Sequence, residues 1–175
     1  MKEFYIDAKD LKTRAQEFSF GNKIYLSGTV YTARDAAHKR IFEYLNSGKD
    51  LPFEIKNAVI YYAGPTPTPE NLVIGSCGPT TSSRMDPYAP TLYDMGLVAT
   101  IGKGERSDEV VASISRNKAL YLCAIGGAGA LASLSVTDCQ VIAFEDLDCE
   151  SVKKLEFKDF PLIVGIDSKG NSVFK

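Results

Sequence analysis

The chain has 175 residues, of which 45% are hydrophobic and 24% are charged, and its formal net charge is −2 at pH 7. These values are typical of a folded globular protein, and the length favours one domain over residues 1–175. The net charge argues against a polybasic nucleic-acid surface. The sequence shows neither an apolar run of about 18 residues, as a membrane span needs, nor the apolar core of a signal peptide near its start. We therefore expect a cytoplasmic protein that binds neither nucleic acid nor membrane.

The first third of the chain is predicted to form a short helix, a strand and a longer helix. Residues 7–11 have the composition of a helix start, and residues 23–31 are typical of a strand. Gly28 interrupts that strand, which indicates a β-bulge or a close approach of another backbone. A helix then begins near Thr32 as its N-cap, and the Asn-Ser-Gly sequence at 46–48 ends it.

The rest of the chain alternates short apolar runs with helical patterns. A helix is predicted over residues 107–117, and a helix of small residues after the Gly-rich sequence at 126–129. Strands are predicted at 58–63, 72–74, 97–101, 119–125, 140–144, 162–166 and 171–174, the last two as a hairpin. Because several runs are apolar throughout, we expect sheets covered on both faces and an α/β class with room for more than one sheet layer.

Cysteine and histidine usage argues against a metal site made by this chain alone. The four cysteines are Cys77, Cys123, Cys139 and Cys149, none of them in a Cys-x-x-Cys pair, and His38 is the one histidine. A protein of this length needs no disulfides, so the cysteines are interpreted as small buried hydrophobic residues. A zinc site or an iron–sulfur cluster would need a ligand spacing that the sequence does not show.

Candidate binding residues concentrate in loops that follow predicted strands. These loops are rich in Gly, Pro, Ser and Thr and lie at 27–38, 62–67, 75–85 and 102–104. Arg34 lies near a helix N-terminus, which favours anions, while Arg84 follows a run of hydroxyl residues and Lys103 stands between two glycines. If the fold brings these cations together, they form a site for a small polyanionic metabolite.

Each of these residues also has a simple structural explanation. Arg34 is compatible with a surface position, His38 with a half-buried structural position and Lys103 with a solvated turn. The hydroxyl groups at 80–83 are compatible with capping of turns.

Two other motifs suggest different chemistry. The sequence Gly127-x-Gly129-x-x-Ala132, with Glu145 after the next predicted strand, resembles a dinucleotide-binding fingerprint and would indicate an NAD-dependent enzyme. A pair of Cys77 and His38 would supply a nucleophile and a base. Neither motif comes with the further elements that its function requires, which are a second mononucleotide-binding half and a third residue that orients the base.

Longer motifs make the chain similar to a known family. They are the sequences LSGTVYTARDAAH at 26–38, YAGP at 62–65, GPTTSSRMD at 78–86 and GKG at 102–104. Through them, nearly the whole chain resembles the β subunit of class I, iron–sulfur-dependent fumarate hydratases and of the related L-tartrate dehydratases. The same unit is the C-terminal domain of single-chain members. The resemblance implies a swivelling β/β/α three-layer domain and a hydro-lyase that reversibly dehydrates a 2-hydroxy dicarboxylate.

The resemblance also implies a cofactor and a partner. A [4Fe–4S] cluster is expected on a separate α subunit, where one iron without a Cys ligand acts as a Lewis acid on the substrate hydroxyl. We expect an α2β2 hetero-oligomer, with a homodimer as the alternative state of the isolated chain.

The family's site residues map onto matching positions of this sequence. By resemblance, the substrate-binding residues are Arg34, Arg84, Lys103 and Thr81. Thr80 is the candidate for proton transfer, and His38 is the second catalytic candidate, in a supporting role. A free threonine hydroxyl is too weak an acid to be a good base near pH 7, so Thr80 would need activation by neighbouring cations.

The sequence leaves the substrate open. Dehydration of malate to fumarate is the first interpretation, and dehydration of tartrate to oxaloacetate is the alternative, because malate and tartrate differ by one hydroxyl group. A dicarboxylate-binding module without catalysis and an NAD-dependent enzyme are more distant alternatives.

Overall fold

The architecture is a mixed sheet with helices packed against it. The computed structural model describes residues 1–125 and 129–175. The strands are β1 (Glu3–Asp7), β2 (Lys23–Thr32), β3 (Val59–Tyr61), β4 (Ala99–Gly102), β5 (Leu120–Ala124), β6 (Val136–Ala143) and β7 (Val152–Ile166). The α-helices are α1 (Leu11–Arg14), α2 (Asp35–Ser47), α3 (Ala89–Asp94), α4 (Asp108–Asn117) and α5 (Gly129–Leu134), and short 3-10 helices cover Ala8–Asp10, Ala15–Glu17, Ser82–Met85 and Glu145–Glu150. Every helix in the two described ranges is too short or too polar to span a bilayer.

Strand pairing closes the sheet into a small barrel. β2, β3, β4 and β5 pair in that order as parallel neighbours, and β7 pairs antiparallel with both β5 and β2. β1 adds to the first half of β2 in parallel, and β6 adds antiparallel to β7. The 15-residue strand β7 therefore joins the two outer strands of the parallel set. The predicted α/β class is confirmed in the form of a mixed α/β fold with a barrel.

The parallel strands of the barrel bring their carboxyl ends to one end of the molecule. β2 leads to Arg34, β3 to Tyr62 and β4 to Lys103. Parallel α/β sheets bind ligands at this end because loops from several strands meet there. β5 also ends here, at Ala124, and residues 126–128 of the Gly-rich sequence lie outside the described part of the chain.

Two apolar clusters cover the two faces of the barrel strands. In β3, Val59 and Tyr61 belong to one cluster, whereas Ile60 belongs to the other. The first cluster draws on all the barrel strands and fills the barrel, and the second packs the outer face of these strands against α2, α3 and α4. Burial of both faces explains why β3 and β5 are apolar throughout, with each large side chain contributing about 1.5–3 kcal/mol.

Several local predictions are confirmed. The helix start at 7–11 is capped by Asp7, whose Oδ1 accepts the Lys9 N–H at 3.1 Å. Gly28 has a φ of +99° and lies at a register shift between β2 and β7, and a Cβ there would lie 2.7 Å from Asp7 Oδ1 and 3.3 Å from the backbone nitrogen of Ala8. The predicted bulge and the predicted close approach therefore both occur. The helix predicted over 107–117 is α4, which is capped by Ser107.

The predicted N-cap of α2 is wrong. Thr32 is the last residue of β2, and its buried hydroxyl donates to the Ser151 carbonyl at 3.4 Å and accepts the Lys153 N–H at 3.1 Å. Arg34 occupies the N-cap position without a side-chain cap bond. The Thr32 hydroxyl instead joins β2 to the start of β7, because its hydrogen bonds go to Ser151 and Lys153 and not to the first turn of α2.

Two predicted strands are absent from the structure. Residues 72–74 follow a turn closed by the Leu72 N–H, which donates to the Pro69 carbonyl, and continue as a bend, with Leu72 55% exposed. The predicted hairpin at 162–174 is reduced to one bridge between Ile166 and Ser172. Conversely, the pattern at 140–144 and 162–166 predicted only parts of β6 and β7, and β1 and α3 were not predicted.

Candidate active site

Two arginines from different loops share one carboxylate at the N-terminus of α2. Arg84 Nε donates to Asp35 Oδ1 at 3.0 Å, and Arg34 Nη2 lies 3.9 Å from Asp35 Oδ2. Arg34 Nε lies 3.9 Å from Glu150 Oε1. The structure thus places the predicted residues Arg34 and Arg84 together. The two contacts of Arg34 are too long for hydrogen bonds, so its guanidinium keeps donor capacity for another anion.

Gly64 makes room for the Arg34 side chain. A Cβ at Gly64 would lie 3.0 Å from Arg34 Cδ and 3.1 Å from the Cys149 carbonyl oxygen. The loop after β3 therefore passes so close to Arg34 that a side chain at position 64 would require its neighbours to shift by a few tenths of an ångström. Two segments predicted separately from the sequence, 27–38 and 62–67, form one continuous surface.

Unsatisfied polar atoms accumulate at this helix start. Arg34 Nε, Asp35 Oδ2 and His38 Nε2 are buried without a hydrogen-bond partner in the structure. Buried polar atoms without partners are rare in folded proteins and each costs about 1–3 kcal/mol. Three such atoms lie within about one turn at the start of α2.

His38 lies beneath this surface. Its side chain is fully buried between the rings of Tyr62 and Tyr88, with centroid distances of 5.6 and 5.4 Å. Its Nδ1 lies 2.8 Å from the Arg34 carbonyl oxygen, which can only accept, so Nδ1 carries the proton and Nε2 does not. Burial lowers the pKa of His38 to about 4, and the charge of Arg106 acts in the same direction. The imidazole is therefore neutral near pH 7.

Backbone hydrogen bonds place the hydroxyl-rich loop beside Lys103. The Thr80 N–H donates to the Tyr62 carbonyl at 2.7 Å, and Thr81 forms a β-bridge with Lys103. The Ser82 N–H donates to the Lys103 carbonyl at 3.0 Å, and the Lys103 N–H donates to Ser82 Oγ at 2.9 Å. Thr80 is half-buried, whereas Thr81 and Lys103 are exposed. The carboxyl ends of β3 and β4 thus present these three predicted residues together.

The two glycines on either side of Lys103 are required for different structural reasons. A Cβ at Gly102 would overlap Ser82 Oγ and lie 2.9 Å from Tyr62 Cδ2. Gly104 has a φ of +84° in open space, so its requirement comes from backbone conformation alone. The backbone of Lys103 is therefore held in place from both sides, while its side chain is free to reach a ligand.

A buried arginine lies behind these loops. Arg106 Nε donates to Asp86 Oδ1 at 2.7 Å, Nη1 to Thr100 Oγ1 at 3.0 Å and Nη2 to the Tyr62 hydroxyl at 3.2 Å. The guanidinium also lies 5.2 and 4.9 Å from the ring centroids of Tyr62 and Tyr121. Burial opposes the charge, but the neighbouring tyrosines and Asp86 raise the pKa of Arg106 above its ordinary value, so it stays charged.

Sequence reasoning missed Arg106 and its partner Asp86. The two residues stand 20 positions apart, and Arg106 is surrounded by Tyr62 after β3, Thr100 of β4 and Tyr121 of β5, which come together only in the folded protein. The available signal was weak: Asp86 ends the GPTTSSRMD sequence, and Arg106 closely follows the Gly-Lys-Gly sequence. Neither position has the spacing of a known ligand or catalytic motif.

Three of the four cysteines lie in environments that do not suit an iron–sulfur cluster. Cys77 is buried as predicted, whereas Cys123 and Cys139 are half-buried and Cys149 is exposed. Burial raises the pKa of Cys77 to about 12, and burial also raises the pKa of Cys123 and Cys139. Cluster ligands are thiolates, which these environments disfavour. Within residues 1–125 and 129–175, no group of three or more His, Cys, Asp or Glu side chains is placed to hold a metal ion.

The geometry also weakens the two competing motifs. Cys77 lies in the cluster that fills the barrel, whereas His38 packs on Tyr62 in the outer cluster. Of the Gly127–Ala132 motif, Gly127 lies outside the described residues, and at Gly129 a Cβ would lie 2.5 Å from Ser76 Oγ. The strand after α5 is β6, which pairs with β7, so it is not the adjacent parallel strand that a dinucleotide-binding unit places beside the first.

Comparison with known proteins gives several related sequences. The chain is 39% identical to "Fumarate hydratase 2" of Leishmania major over 94% of this chain and 29% of that protein. It is 37% identical to "Fumarate hydratase class I, anaerobic" of Escherichia coli (strain K12) over 95% of this chain and 31% of that protein. It is also 37% identical to "Putative L(+)-tartrate dehydratase subunit beta" of Methanocaldococcus jannaschii over 98% of this chain and 91% of that protein.

These relatives fall into two kinds by length. The chain spans less than a third of the two fumarate hydratases but nearly the whole of the Methanocaldococcus jannaschii protein. The family model described as "Fumarase C-terminus" matches residues 1–175. The chain therefore belongs to the Fumarase C-terminus family.

Proposed function

We propose that this chain is the β subunit of an iron–sulfur hydro-lyase that reversibly dehydrates a 2-hydroxy dicarboxylate, with malate and fumarate as substrate and product. The observation that carries the proposal is the cation set at the carboxyl end of the barrel. Arg34, Arg84 and Lys103 come from three loops, and Thr80 and Thr81 lie beside Lys103. Relatives named as fumarate hydratases align with this chain over 94–95% of its length.

The cations suit a dianionic substrate. Two carboxylates need two sets of donors, and the fork of a guanidinium matches the shape of a carboxylate. In this proposal Arg34 and Arg84 bind carboxylate oxygens, with Arg84 exchanging Asp35 for the substrate. Lys103 supplies a third positive charge. These groups also stabilise the charge that develops when the carbon next to a carboxylate loses its proton.

Thr80 is our candidate for the proton transfer. Its backbone N–H donates to the Tyr62 carbonyl at 2.7 Å, so Thr80 is held by a hydrogen bond beside the end of β3. A threonine hydroxyl has a high pKa, and nearby cations are the physical means of lowering it. Thr81 is assigned to substrate binding beside Lys103.

His38 is assigned a positioning role. Its ring has no exposed surface, and its Nδ1–H holds the carbonyl of Arg34. The same carbonyl accepts the His38 backbone N–H at 2.9 Å, so one residue fixes the N-cap of α2 twice. In this proposal, the imidazole sets the direction in which Arg34 leaves the helix and does not itself exchange a proton with the substrate.

The proposal assigns the [4Fe–4S] cluster to a separate α polypeptide. Burial raises the thiol pKa of Cys77, Cys123 and Cys139, and the fumarate hydratase relatives are more than three times as long as the matched region. We further propose that residues 1–175 act as one domain of the swivelling β/β/α type and assemble as α2β2, with a homodimer as the state of the isolated chain.

Tartrate dehydration is the second candidate. A specific observation favours it: the relative named as a tartrate dehydratase subunit beta is covered over 91% of its length, so it matches this chain in size as well as in sequence. Tartrate carries one more hydroxyl than malate, and the same cation set would bind both dianions.

Steady-state assays of the chain reconstituted anaerobically with its α polypeptide test the proposal. We expect turnover of malate or tartrate by the complex and none by the chain alone. Turnover by the purified, metal-free chain would contradict the two-subunit assignment. The ratio of kcat/KM for malate and tartrate decides between the two candidates.

A matched pair of Thr80 variants tests the proton-transfer assignment in the same complex. Thr80→Val keeps the shape and removes the hydroxyl, so kcat should fall about 10²–10⁴-fold with little change in KM. Thr80→Ser keeps the hydroxyl and should retain much of the activity. An active Thr80→Val complex with normal cluster content would move the proton transfer to another residue.

Lys103→Ala in the same complex removes an attraction that is present in the ground state and in the transition state alike, so KM should rise more than kcat falls.

A further inference from the structure

The buried guanidinium of Arg106 is the strongest unused feature of the molecule. Its side chain has no exposed surface, so it cannot contact a substrate in this conformation. Its hydrogen bonds and ring contacts nevertheless lead to the loops that carry Thr80, Arg84 and Lys103. We infer that Arg106 is a positioning residue, which holds Thr80, Arg84 and Lys103 in register through its contacts with Tyr62, Asp86, Thr100 and Tyr121. This inference rests on the proposed function.

The first connection runs through Tyr62 to Thr80. Arg106 Nη2 donates to the Tyr62 hydroxyl, and the guanidinium lies 5.2 Å from the centroid of the Tyr62 ring. The carbonyl of the same tyrosine accepts the Thr80 N–H at 2.7 Å. Arg106 therefore holds the side chain of Tyr62, and the backbone carbonyl of Tyr62 holds Thr80, the proposed proton-transfer residue.

The second connection runs through Asp86 to the loop of Arg84. Asp86 Oδ1 accepts from Arg106 Nε at 2.7 Å, and Asp86 Oδ2 accepts the Ser107 N–H at 2.7 Å. The Asp86 N–H in turn donates to the Ser83 carbonyl at 3.2 Å, which ends the 3-10 helix that contains Arg84. Both carboxylate oxygens are thus used to anchor this turn to the residues after Lys103.

The third connection runs through Tyr121 to Lys103. The guanidinium lies 4.9 Å from the Tyr121 ring centroid, and the Tyr121 hydroxyl contacts Ser82 Oγ at 2.9 Å and the Gly104 carbonyl at 2.8 Å. Ser82 Oγ accepts the Lys103 N–H. The cation therefore orients a tyrosine that holds the Gly-Lys-Gly loop on both sides of Lys103.

The strand beneath is tied in as well. Arg106 Nη1 donates to Thr100 Oγ1 at 3.0 Å, and the Tyr93 hydroxyl donates to the Leu120 carbonyl at 2.9 Å. Because Tyr93 has one hydroxyl proton, the 2.7 Å contact between Thr100 and Tyr93 is a donation from Thr100. A single chain of donors thus runs from Arg106 across β4 to the start of β5.

The geometry requires a planar fork. Three acceptors lie around one guanidinium, each reached by a different nitrogen. A lysine ammonium keeps the charge but presents its donors from one point and cannot reach all three. Arg106→Lys should therefore keep the buried charge and lose the register of the loops.

Two readouts on Arg106→Lys test the inference, with Arg116→Lys as the matched control. Arg116 lies on α4, makes two hydrogen bonds to Asp94 and is 51% exposed. In the reconstituted complex we expect kcat/KM per folded, cluster-loaded enzyme to fall about 10²-fold for Arg106→Lys, the loss typical of an atomic displacement of about 1 Å. In the β chain alone, hydrogen exchange of the Thr80, Ser82 and Lys103 amides should accelerate at least about tenfold, while amides of β1 and β6 keep their rates. Arg116→Lys should change neither.

The outcomes separate this inference from the proposed function. If the wild-type complex does not turn over either substrate, the proposed function fails, and the exchange data alone decide on Arg106. Unchanged exchange at the three amides overturns the inference whatever the activity. Uniformly faster exchange across the barrel, with normal kcat/KM per folded enzyme, also overturns it, because that pattern means Arg106 stabilises the fold without positioning the site.

Discussion

Two arginine–aspartate pairs in this molecule have similar chemistry and opposite environments. Arg106 donates to Asp86 at 2.7 Å with its side chain wholly buried, and Arg84 donates to Asp35 at 3.0 Å with its side chain 54% exposed. The buried guanidinium has an acceptor for each nitrogen, whereas the exposed one uses Nε alone. The difference suggests a division of labour in which a fully satisfied cation fixes loops and a partly satisfied cation remains available to a ligand.

The largest expected effect is the difference in stability between the two pairs. Arg106→Met removes one partner of a buried pair and leaves Asp86 Oδ1 without a donor, so we expect the free energy of unfolding to fall by about 3–5 kcal/mol. Arg84→Met breaks an exposed pair and should cost about 0–1 kcal/mol. Urea unfolding of the two variants and the wild type measures both values. Equal losses would remove the distinction between the pairs.

Activity should show a large effect at the exposed pair without a loss of fold. Under the proposed function, Arg84→Met and Arg34→Met each remove a carboxylate contact, and transition-state stabilisation should fall by about 2–5 kcal/mol. The measurement is kcat/KM of the reconstituted complex, with the unfolding midpoint of each β chain as the control. Near-normal kcat/KM in both variants would exclude these arginines from substrate binding.

The pH dependence of stability gives a third test of how burial affects a charged group, through His38. His38 lies beside the same buried region, faces the charges of Arg106 and Asp35, and has a folded-state pKa of about 4. Below pH 6.5 the unfolded chain binds a proton that the folded chain does not, so this contribution to stability is complete above that pH and is lost as the pH falls towards 4. The loss amounts to roughly 3 kcal/mol.

The measurement is the free energy of unfolding of wild type and His38→Phe at several values between pH 7 and pH 4. Phe keeps an aromatic ring between Tyr62 and Tyr88 but cannot take up a proton. The wild type should lose more stability across this window than the variant. Parallel curves would show that His38 does not carry the acid sensitivity.

The smallest expected effect separates geometry from burial. Arg116 and Asp94 make hydrogen bonds of 2.8 and 2.7 Å, as short as the bond of Arg106 to Asp86, but both side chains are exposed. If burial decides the contribution of an ion pair, Arg116→Met should leave the unfolding midpoint unchanged within error. A loss as large as that of Arg106→Met would mean that bond geometry is the deciding factor.

The sequence predicted local features of the fold well where local chemistry decides them. Gly28 was predicted as a bulge or a close approach, and it is both, because a glycine inside a strand pattern has few other uses. The helix over 107–117 was predicted from its apolar spacing, and the structure adds its cap at Ser107. Thr32 misled because its hydroxyl has a choice between a helix end and a distant strand, and only the tertiary structure shows that β7 takes it.

The candidate site was predictable as a set of loops and not as a network. Arg34, Arg84, Thr80, Thr81 and Lys103 stand in motifs next to glycines or strand ends, so the sequence marks them. Asp86 and Arg106 lie in or just after the same motifs, but nothing in their spacing marks them, because their pairing depends on contacts that form only in the folded protein. The unsatisfied atoms at the start of α2 were equally invisible, since hydrogen-bond satisfaction exists only in three dimensions.

Closure of the barrel by β7 has a consequence for the order of folding. β2 and β5 pair with β7 through residues more than 30 positions away, so the barrel has no closed state until the last strand arrives. Contacts of such long sequence separation slow folding, because the chain must be ordered before they form. Until then the edges of β2 and β5 expose unpaired backbone, which is a route to aggregation. A barrel closed by its last strand is thus exposed to kinetic trapping of the chain before β7 pairs with β2 and β5.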